Sequence, residues 1–370
     1  MRIGIVIHDF ALGGTERIAI RLAMAWSQLG AKVDIFCGSE AGPLRELLGA
    51  NVQVSSPPRP IHRGPRSVHR LAKAARAHFE AHPVEALFVP GNYHWPVAPA
   101  IAGMCSEKRP IIVAQISSAV EKPQRGRLRQ YWFEARMRRQ LCDADEIVSL
   151  SNETRMLASR IMPRSNVTTI RLPALPDVTS LPIDVPPDPP LLFAAGRFVK
   201  QKDFLTLVDA FAILRHPTAL LVIAGSGPQE AAIRRRIDAH DLQDRVRLVG
   251  YVPDIREWLD RARLFVLPSI HEGYGAVIVE ALSAGRQVIA TDCTPATREI
   301  LSSEVTGRVV PISDSNALAA AMTAVLADPA PNPMSLAHCV EGFRIGPIAK
   351  SYLDLMRGAA SVKHGKSSMK

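Results

Sequence analysis

The sequence predicts an α/β chain built from two doubly wound parallel-sheet domains, and three observations carry that prediction. Short β-branched runs alternate with helical patterns, which is the rhythm of parallel βαβ units. The rhythm stops once, at residues 173–190, PALPDVTSLPIDVPPDPP, where seven prolines in eighteen positions exclude a continuous helix or a central strand. The length of 370 residues suits two domains at about 100 to 200 residues each.

In chain order, strands are expected at IGIVIH (3–8), VDIFC (33–37), EALFVP (85–90), PIIVAQ (110–115) and EIVSL (146–150). After the proline-rich stretch they resume at LLFAAG (191–196), ALLVIAG (219–225), RVRLVG (245–250), RLFVLPS (263–269) and QVIATD (287–292). The first strand leads through Ala11-Leu12-Gly13-Gly14-Thr15-Glu16 into a helix whose apolar stripe is Ile18, Leu22, Ala25, Trp26 and Leu29. Thr15 is the candidate N-cap and Gly30 the stop. The expected boundaries are a first domain at 1–172, a linker at 173–190 and a second domain at 191–345. GPIAKSYLDLMR (346–357) forms one last amphipathic helix, and the Lys/Ser/Gly-rich tail at 358–370 is too poor in apolar residues to fold.

Composition narrows the class. With 47% hydrophobic and 22% charged residues, the chain reads as a packed globular protein and not as a disordered or fibrous one. Five scattered cysteines, with no C-x-x-C pair, suit a reducing cytosol and offer no metal site. No apolar run reaches the roughly 18 to 20 residues of a membrane span, and Asp9 interrupts any signal-type start. The expected location is therefore the cytoplasm.

The net charge of +10 is uneven: residues 1–185 carry 24 Lys+Arg against 16 Asp+Glu, and residues 186–370 carry 21 against 19. Arg59, Arg63, Arg66, Arg70, Lys73 and Arg76 lie in an interval without an acid. Lys122, Arg125, Arg127, Arg129, Arg136, Arg138 and Arg139 form a second cluster, interleaved with Tyr131, Trp132 and Phe133. Anionic lipid, nucleic acid or a phosphorylated substrate would each account for such charge.

Ligands of open parallel sheets bind beyond the carboxyl ends of the strands, so the residues just after strands are the site candidates, and two such domains facing each other would form a cleft. Gly13-Gly14 opens the first helix, where free N–H groups suit a phosphate; equally, the two glycines make the turn. G-x-G-x-x-G is absent and Cys37-Gly38-Ser39 ends the second strand, which counts against a nicotinamide site. In the second domain Arg197 and Lys202 flank a strand-end loop, the pairing suited to a diphosphate, or else a solvated basic loop. The strongest signal is HEGYGAVIVEAL (271–282), in which Glu272 and Glu280 bracket a glycine turn at Gly275 and the amides near Ala276 and Val277 could meet an anion. His94, in GNYHWP after the strand EALFVP, is placed to face the presumed cleft, although an isolated histidine is more often structural.

Taken together, GGTER, GRFVKQKDFLTLVDAFA, VIAGSGP (222–228), GYVPD (250–254) and HEGYGAVIVEALSAGRQVIA resemble the retaining glycosyltransferases of family 4 (glycosyl transferases group 1) over nearly the whole chain. The resemblance implies the GT-B architecture, two doubly wound Rossmann-like domains facing across a cleft, with the final helix packing back on the first domain. It implies a nucleotide diphosphate sugar as donor, and a saccharide or lipid-linked acceptor bound by the first domain. By the same resemblance Arg197 and Lys202 hold the diphosphate, Glu272 contacts sugar hydroxyls, and Glu280 bonds the ribose. Amides near Gly14, Gly275, Ala276 and Val277 complete the phosphate cradle, and Val252 lies beside the base. Glu272, Arg197 and Lys202 are the candidate catalytic residues; His94 and Ser117 are the acceptor-side candidates. Some relatives carry a histidine in the loop after PIIVAQ; this chain reads Gln115-Ile116-Ser117-Ser118 there, so a mechanism that needs that histidine is not carried over.

The resulting expectation is a retaining, metal-independent hexosyltransferase without a cofactor, working in cell-surface polysaccharide or lipopolysaccharide biosynthesis. Peripheral contact with an anionic membrane through residues 59–76 and 122–139 is one reading of the basic clusters; a solvated surface is the other. A sugar-nucleotide epimerase on the same fold is an alternative, as is a basic nucleic-acid-binding protein, for which the chain shows no recognised motif.

Overall fold

The computed structural model describes every residue except 122–124, 185–188, 215 and 368–370, with side chains of the last helix described through Lys363. Lys122 of the second basic cluster and part of the proline-rich stretch thus lie outside the described residues. Contacts divide the chain into two units, Met1–Pro176 with Arg344–Lys370, and Asp177–Phe343.

The first unit alternates β1 (Arg2–Ile7), α1 (Gly14–Gln28), β2 (Lys32–Cys37), β3 (Val52–Ser55), α2 (Ser67–Ala81), β4 (Ala86–Val89) and α3 (Val97–Ala102). It continues with β5 (Ile111–Ile116), α4 (Gly126–Leu141), β6 (Glu146–Ser149), α5 (Asn152–Ile161) and β7 (Val167–Thr169). The strands form one parallel sheet in the order β3-β2-β1-β4-β5-β6-β7. Both faces are covered, which is why the strands read as nearly unbroken apolar runs. Ile3, Ile5 and Ile7 point into one core and Val6 into the other.

The second unit runs β8 (Leu191–Ala195), α6 (Phe204–Ile213), β9 (Leu220–Ala224), α7 (Glu230–Ala239), β10 (Val246–Leu248), α8 (Arg256–Arg261) and β11 (Leu264–Leu267). Then follow α9 (Ala276–Ser283), β12 (Gln287–Thr291), α10 (Pro295–Ile300), β13 (Gly307–Val310), α11 (Ser315–Ala327) and α12 (Pro333–His338). Its parallel sheet is ordered β10-β9-β8-β11-β12-β13. The two sheets are Rossmann-like, and each has one switch point, between β1 and β4 and between β8 and β11. The crevice outside the carboxyl ends of those strand pairs is where doubly wound sheets take ligands.

Several local expectations change. The N-cap of α1 is Gly13, not Thr15, and it has no side-chain cap. The Glu16 carboxylate folds back over Gly13, filling the space a Cβ there would need. Leu29, assigned to the apolar stripe, is exposed, because the helix has already ended at Gln28. Residues 177–184 of the proline-rich stretch belong to the second unit, where the Arg256 guanidinium donates to the carbonyls of Ser180 (2.9 Å) and Leu181 (2.7 Å) and Arg286 to that of Ile183 (2.8 Å). Arginine side chains here satisfy the backbone carbonyls of an irregular segment.

The last helix, α13 (Ile345–Ser367), belongs to the first unit and is longer than expected. It runs ten residues past Arg357, into the stretch read as a disordered tail. Partly buried Ala359 and Ala360 extend its packing, and Lys363 Nζ donates to the Arg109 carbonyl at 2.7 Å. Ile348, Ala349, Tyr352, Leu353 and Met356 are buried against α1 and the sheet. Trp26 Nε1 donates to the Ala349 carbonyl at 3.0 Å, and the Trp26, Phe88 and Tyr352 rings meet edge to face. The Tyr352 hydroxyl donates to Gln115 Oε1 at 2.8 Å inside the core, so Gln115 holds the returning helix. Tyr352→Phe is expected to cost about 1–2 kcal/mol, because it strands a buried amide oxygen without opening a cavity. A lowered urea midpoint at unchanged m-value is the result that checks it.

Candidate active site

Four strand-end loops nest at the switch point of the second sheet. Gly196 N donates to the Ala224 carbonyl (2.9 Å), Phe198 N to that of Ser226 (2.8 Å) and Gly225 N to that of Gly250 (2.7 Å), which ties together the loops after β8, β9 and β10. The approach is so close that a Cβ on Gly225 would lie 1.9 Å from the Gly196 oxygen. Buried Phe198, edge-on to Phe204, anchors the middle of the first loop. The loop can then present Arg197 to solvent while Lys202 folds back over Gly196, where a Cβ would sit 3.1 Å from Lys202 Cε.

Lys202 Nζ donates to Glu272 Oε1 at 2.5 Å, and Ser269 Oγ donates to the same oxygen at 2.6 Å. Both groups of the ion pair are largely shielded from water, with 18% and 12% of their side-chain surfaces accessible. Among the described residues both side-chain partners of Glu272 meet Oε1, so one carboxylate oxygen is committed and Oε2 is left to a ligand's hydrogen bond. Thr291 Oγ1 holds the Ser269 carbonyl at 2.5 Å, Glu272 N donates to the Cys293 carbonyl at 3.0 Å, and Gln201 Nε2 reaches the His271 carbonyl at 2.7 Å. The Cys293 thiol is pushed up to about 11 by burial and by the Glu272 charge, so it faces the site as a neutral group. With Lys202 paired to Glu272, exposed Arg197 and Lys200 carry the loop's remaining positive charge.

α9 starts immediately after this loop. Its N-cap Gly275 has φ 86°, a left-handed turn that any other residue would strain. The amides of Ala276 and Val277 have no acceptor within the helix and carry the positive end of its dipole. Glu280 is half-buried in the second turn, and Val252 is half-buried on the loop after β10 beside exposed Tyr251. The structure thus joins Lys202 and Glu272 directly, and Gly275, Ala276 and Val277 follow Glu272 closely in the chain. Sequence reasoning missed Ser269, Thr291 and Gln201, whose only signal was their position after, at the end of, or between strands.

In the first unit the switch point gathers a different set. Arg63 donates to both oxygens of Asp9, at 2.6 and 2.9 Å, and to Glu16 Oε1 at 2.7 Å, with its guanidinium 5.3 Å from the Tyr93 ring centre. Burial alone would raise the Asp9 carboxyl, but the Arg63 hydrogen bonds and charge hold it below the ordinary carboxylate range. A cavity of about 430 Å³ opens here, lined by Asp9, Leu12, Ser39, Pro43, His62 and Arg63. None of these was singled out as a ligand-binding residue, although Asp9 follows β1 almost at once and Arg63 belongs to the first basic cluster. Gly14 is exposed, with open space where a Cβ would be. Ser117 is bound to Asn92, its N and Oγ reaching Asn92 Oδ1 at 2.8 and 3.2 Å.

His94 does not reach solvent, contrary to the expectation that it faces a ligand: it is fully buried against Tyr93, and neither ring nitrogen has a hydrogen-bond partner among the described residues. Burial, helped by the Arg63 charge, pushes it down to about 3, so it is neutral at pH 7. Its folded value lies below its unfolded one, so only the unfolded chain takes up this proton between pH about 6.5 and 3. Stability from this group is intact above that window and is lost as the pH falls through it. His94→Leu should flatten the fall of urea stability between pH 7 and 4 by up to about one proton's worth of slope; an unchanged slope would contradict the assignment.

The family model described as Glycosyl transferases group 1 matches residues 182–339, and that described as Glycosyltransferase Family 4 matches residues 12–173. A lipopolysaccharide core biosynthesis mannosyltransferase, LpcC, of Rhizobium leguminosarum bv. viciae is 38% identical over 150 residues, covering 39% of this chain and 42% of that protein. The chain spans about half the length of the curated relatives it matches. Among solved structures, sucrose-phosphate synthase from Thermosynechococcus elongatus superposes with a TM-score of 0.80 at 22% identity, over 98% of this chain and 99% of that one. Anabaena HepE in complex with UDP gives 0.75 at 16% identity, over 97% and 100%. These structural likenesses establish the GT-B fold. With the Lys202–Glu272 site inside one matched region and the Gly13-Gly14 turn inside the other, the chain belongs to the family 4, group 1 glycosyltransferases.

Proposed function

We propose that this chain is a retaining glycosyltransferase that moves a sugar from a nucleotide diphosphate sugar to a hydroxyl of a saccharide or lipid-linked saccharide. The observation that carries the reading is the Lys202–Glu272–Ser269 arrangement at the switch point of the second sheet, beside free Arg197. Relatives named for lipopolysaccharide core biosynthesis, and a neighbour solved with UDP, support a surface-saccharide acceptor and a nucleotide donor.

In this reading the donor occupies the second unit. Arg197 and Lys202 hold the diphosphate, with the amides of Gly275, Ala276 and Val277 as further donors. Lys202 has three N–H groups and can keep Glu272 while bonding a phosphate oxygen. Glu272 Oε2 accepts from sugar hydroxyls, Glu280 from the ribose, and Val252 lies against the base. As the bond between the anomeric carbon and the diphosphate oxygen breaks, negative charge grows on the leaving group, and the two cations and the α9 dipole meet it. Those groups suffice in sign to balance the diphosphate, so the proposal assigns no role to a divalent ion or cofactor. The acceptor hydroxyl attacks the same face, and its proton passes to the departing phosphate oxygen. The cavity at Asp9 and Arg63 is assigned to the acceptor together with Ser117; buried His94 is left out as a base.

A thermal-shift screen against UDP-, GDP- and ADP-sugars, with NAD and a DNA oligonucleotide as controls, tests the class, since a ligand that binds only the folded state raises its apparent stability. One nucleotide class is expected to shift the wild type; a response to NAD or DNA alone would overturn the proposal. With the donor so identified, Arg197→Ala should lower kcat/KM about 100-fold, roughly 3 kcal/mol of transition-state stabilisation. Glu272→Gln should weaken the sugar nucleotide far more than the bare nucleoside diphosphate, because the lost contacts are to the sugar; equal loss for both would place Glu272 elsewhere.

A further inference from the structure

Phe133, Met137 and Leu141 recur at helical spacing along one stripe of α4. The structure buries Met137 and Leu141 completely and packs Phe133 between Trp95 and the Arg125 guanidinium, so this stripe is the core-facing side. What remains outside is a second apolar face. Leu128, Tyr131 and Trp132 are 72%, 59% and 65% exposed. At about 100° per residue the three fall within roughly 60° of one line along the helix, opposite Met137.

Charge flanks that line on both sides. Arg127 and Arg138 lie on one edge, Arg129 and Arg136 on the other, and Arg139 along the line itself; all five are exposed. The single acid of the helix, Glu134, is half-buried on the inner side and accepts from Gln130 at 3.0 Å. An outward face with three large apolar side chains, five arginines and no carboxylate is costly to leave in water and is repelled by other cationic surfaces. It complements a surface that is anionic at its boundary and apolar just beneath. Trp and Tyr suit that boundary because each presents an apolar ring with one polar atom, and arginine keeps its head among phosphates while its stem packs below.

We infer that the outer face of α4, centred on Leu128, Tyr131 and Trp132, docks the protein on an anionic phospholipid surface, with Arg127, Arg129, Arg136, Arg138 and Arg139 gripping the headgroups. The first basic cluster is a different kind of surface. Residues 59–76 expose no large apolar side chain, and Arg63 and Arg76 are committed to Asp9, Glu16 and Glu80. No helix among the described residues is long and apolar enough to cross a membrane, so the contact is interfacial. It deepens the lipid-linked-acceptor reading but is read out without donor or acceptor, so failure of either leaves the other standing.

The test is flotation of the full chain with vesicles of phosphatidylcholine alone and of phosphatidylcholine with phosphatidylglycerol, at about 0.1 M and 0.5 M salt. The wild type is expected to float with the anionic vesicles only, less at high salt. Leu128→Ser/Trp132→Ser should lower vesicle partitioning at least about tenfold, and Arg127→Gln/Arg138→Gln should remove most of the salt dependence. Because all four side chains are exposed, unfolding temperature and nucleotide-induced shift should stay at wild-type values, separating lost docking from lost folding. In the wild type, brominated lipid should quench Trp132, the most exposed of the four tryptophans. No flotation, equal flotation with both vesicles, or serine variants that float like the wild type would overturn the inference. So would self-association abolished by the same variants without vesicle binding, which would make the face a contact between copies.

Discussion

All strands of each sheet run in one direction, and most of what the two units can do follows from that constraint. A parallel strand cannot return by a hairpin; it needs a crossover, which here is supplied mostly by helices. Every strand therefore ends on the same edge of its sheet, and the loops leaving that edge are the ones close enough to cooperate. Gly196, Arg197, Lys202, Glu272 and Cys293 come from three separate stretches of chain and meet for this reason alone. The same geometry delivers Asp9, Arg63 and Tyr93 to the edge of the first sheet.

Within the second unit, rigidity and charge are solved together. Lys202 is held by Glu272, Glu272 by Ser269, and the Ser269 carbonyl by Thr291, a relay that runs from an exposed loop to a buried strand. Each member fixes the next in one rotamer, so little reorganisation remains when a charged ligand arrives, which is the condition under which electrostatic groups are most effective. Arg197 stands outside the relay, exposed and unpaired among the described residues, free to adapt to whatever the relay has positioned.

The sequence made the nine central strands, the edge strand β10 and the break between the domains legible, because alternation and proline content report directly on local structure. Three short strands escaped: VQVS at β3, VTT at β7 and GRVV at β13. All lie at sheet edges, where one side is unpaired and the apolar signal is diluted. Glu272, Arg197 and Lys202 were legible as strand-end residues. Ser269, Thr291 and Arg63 were not, since their roles depend on which distant side chain they meet. The outer face of α4 was not legible for a related reason: aromatic residues at helical spacing occur on both sides of that helix, and only packing shows which side the core takes.

The return of α13 to the first unit has a consequence for synthesis. The core around Trp26 and Phe88 is closed by Tyr352, Leu353 and Met356, which are made only after the whole of Asp177–Phe343. The amino-terminal unit, made first, must wait with that face uncovered while the whole of the second unit is translated. Asp177–Phe343 contains its own sheet and core and needs no later segment. Of the two units, the one translated first is thus the one that finishes folding last, and termination between Phe343 and Tyr352 leaves the second unit complete and the first one open.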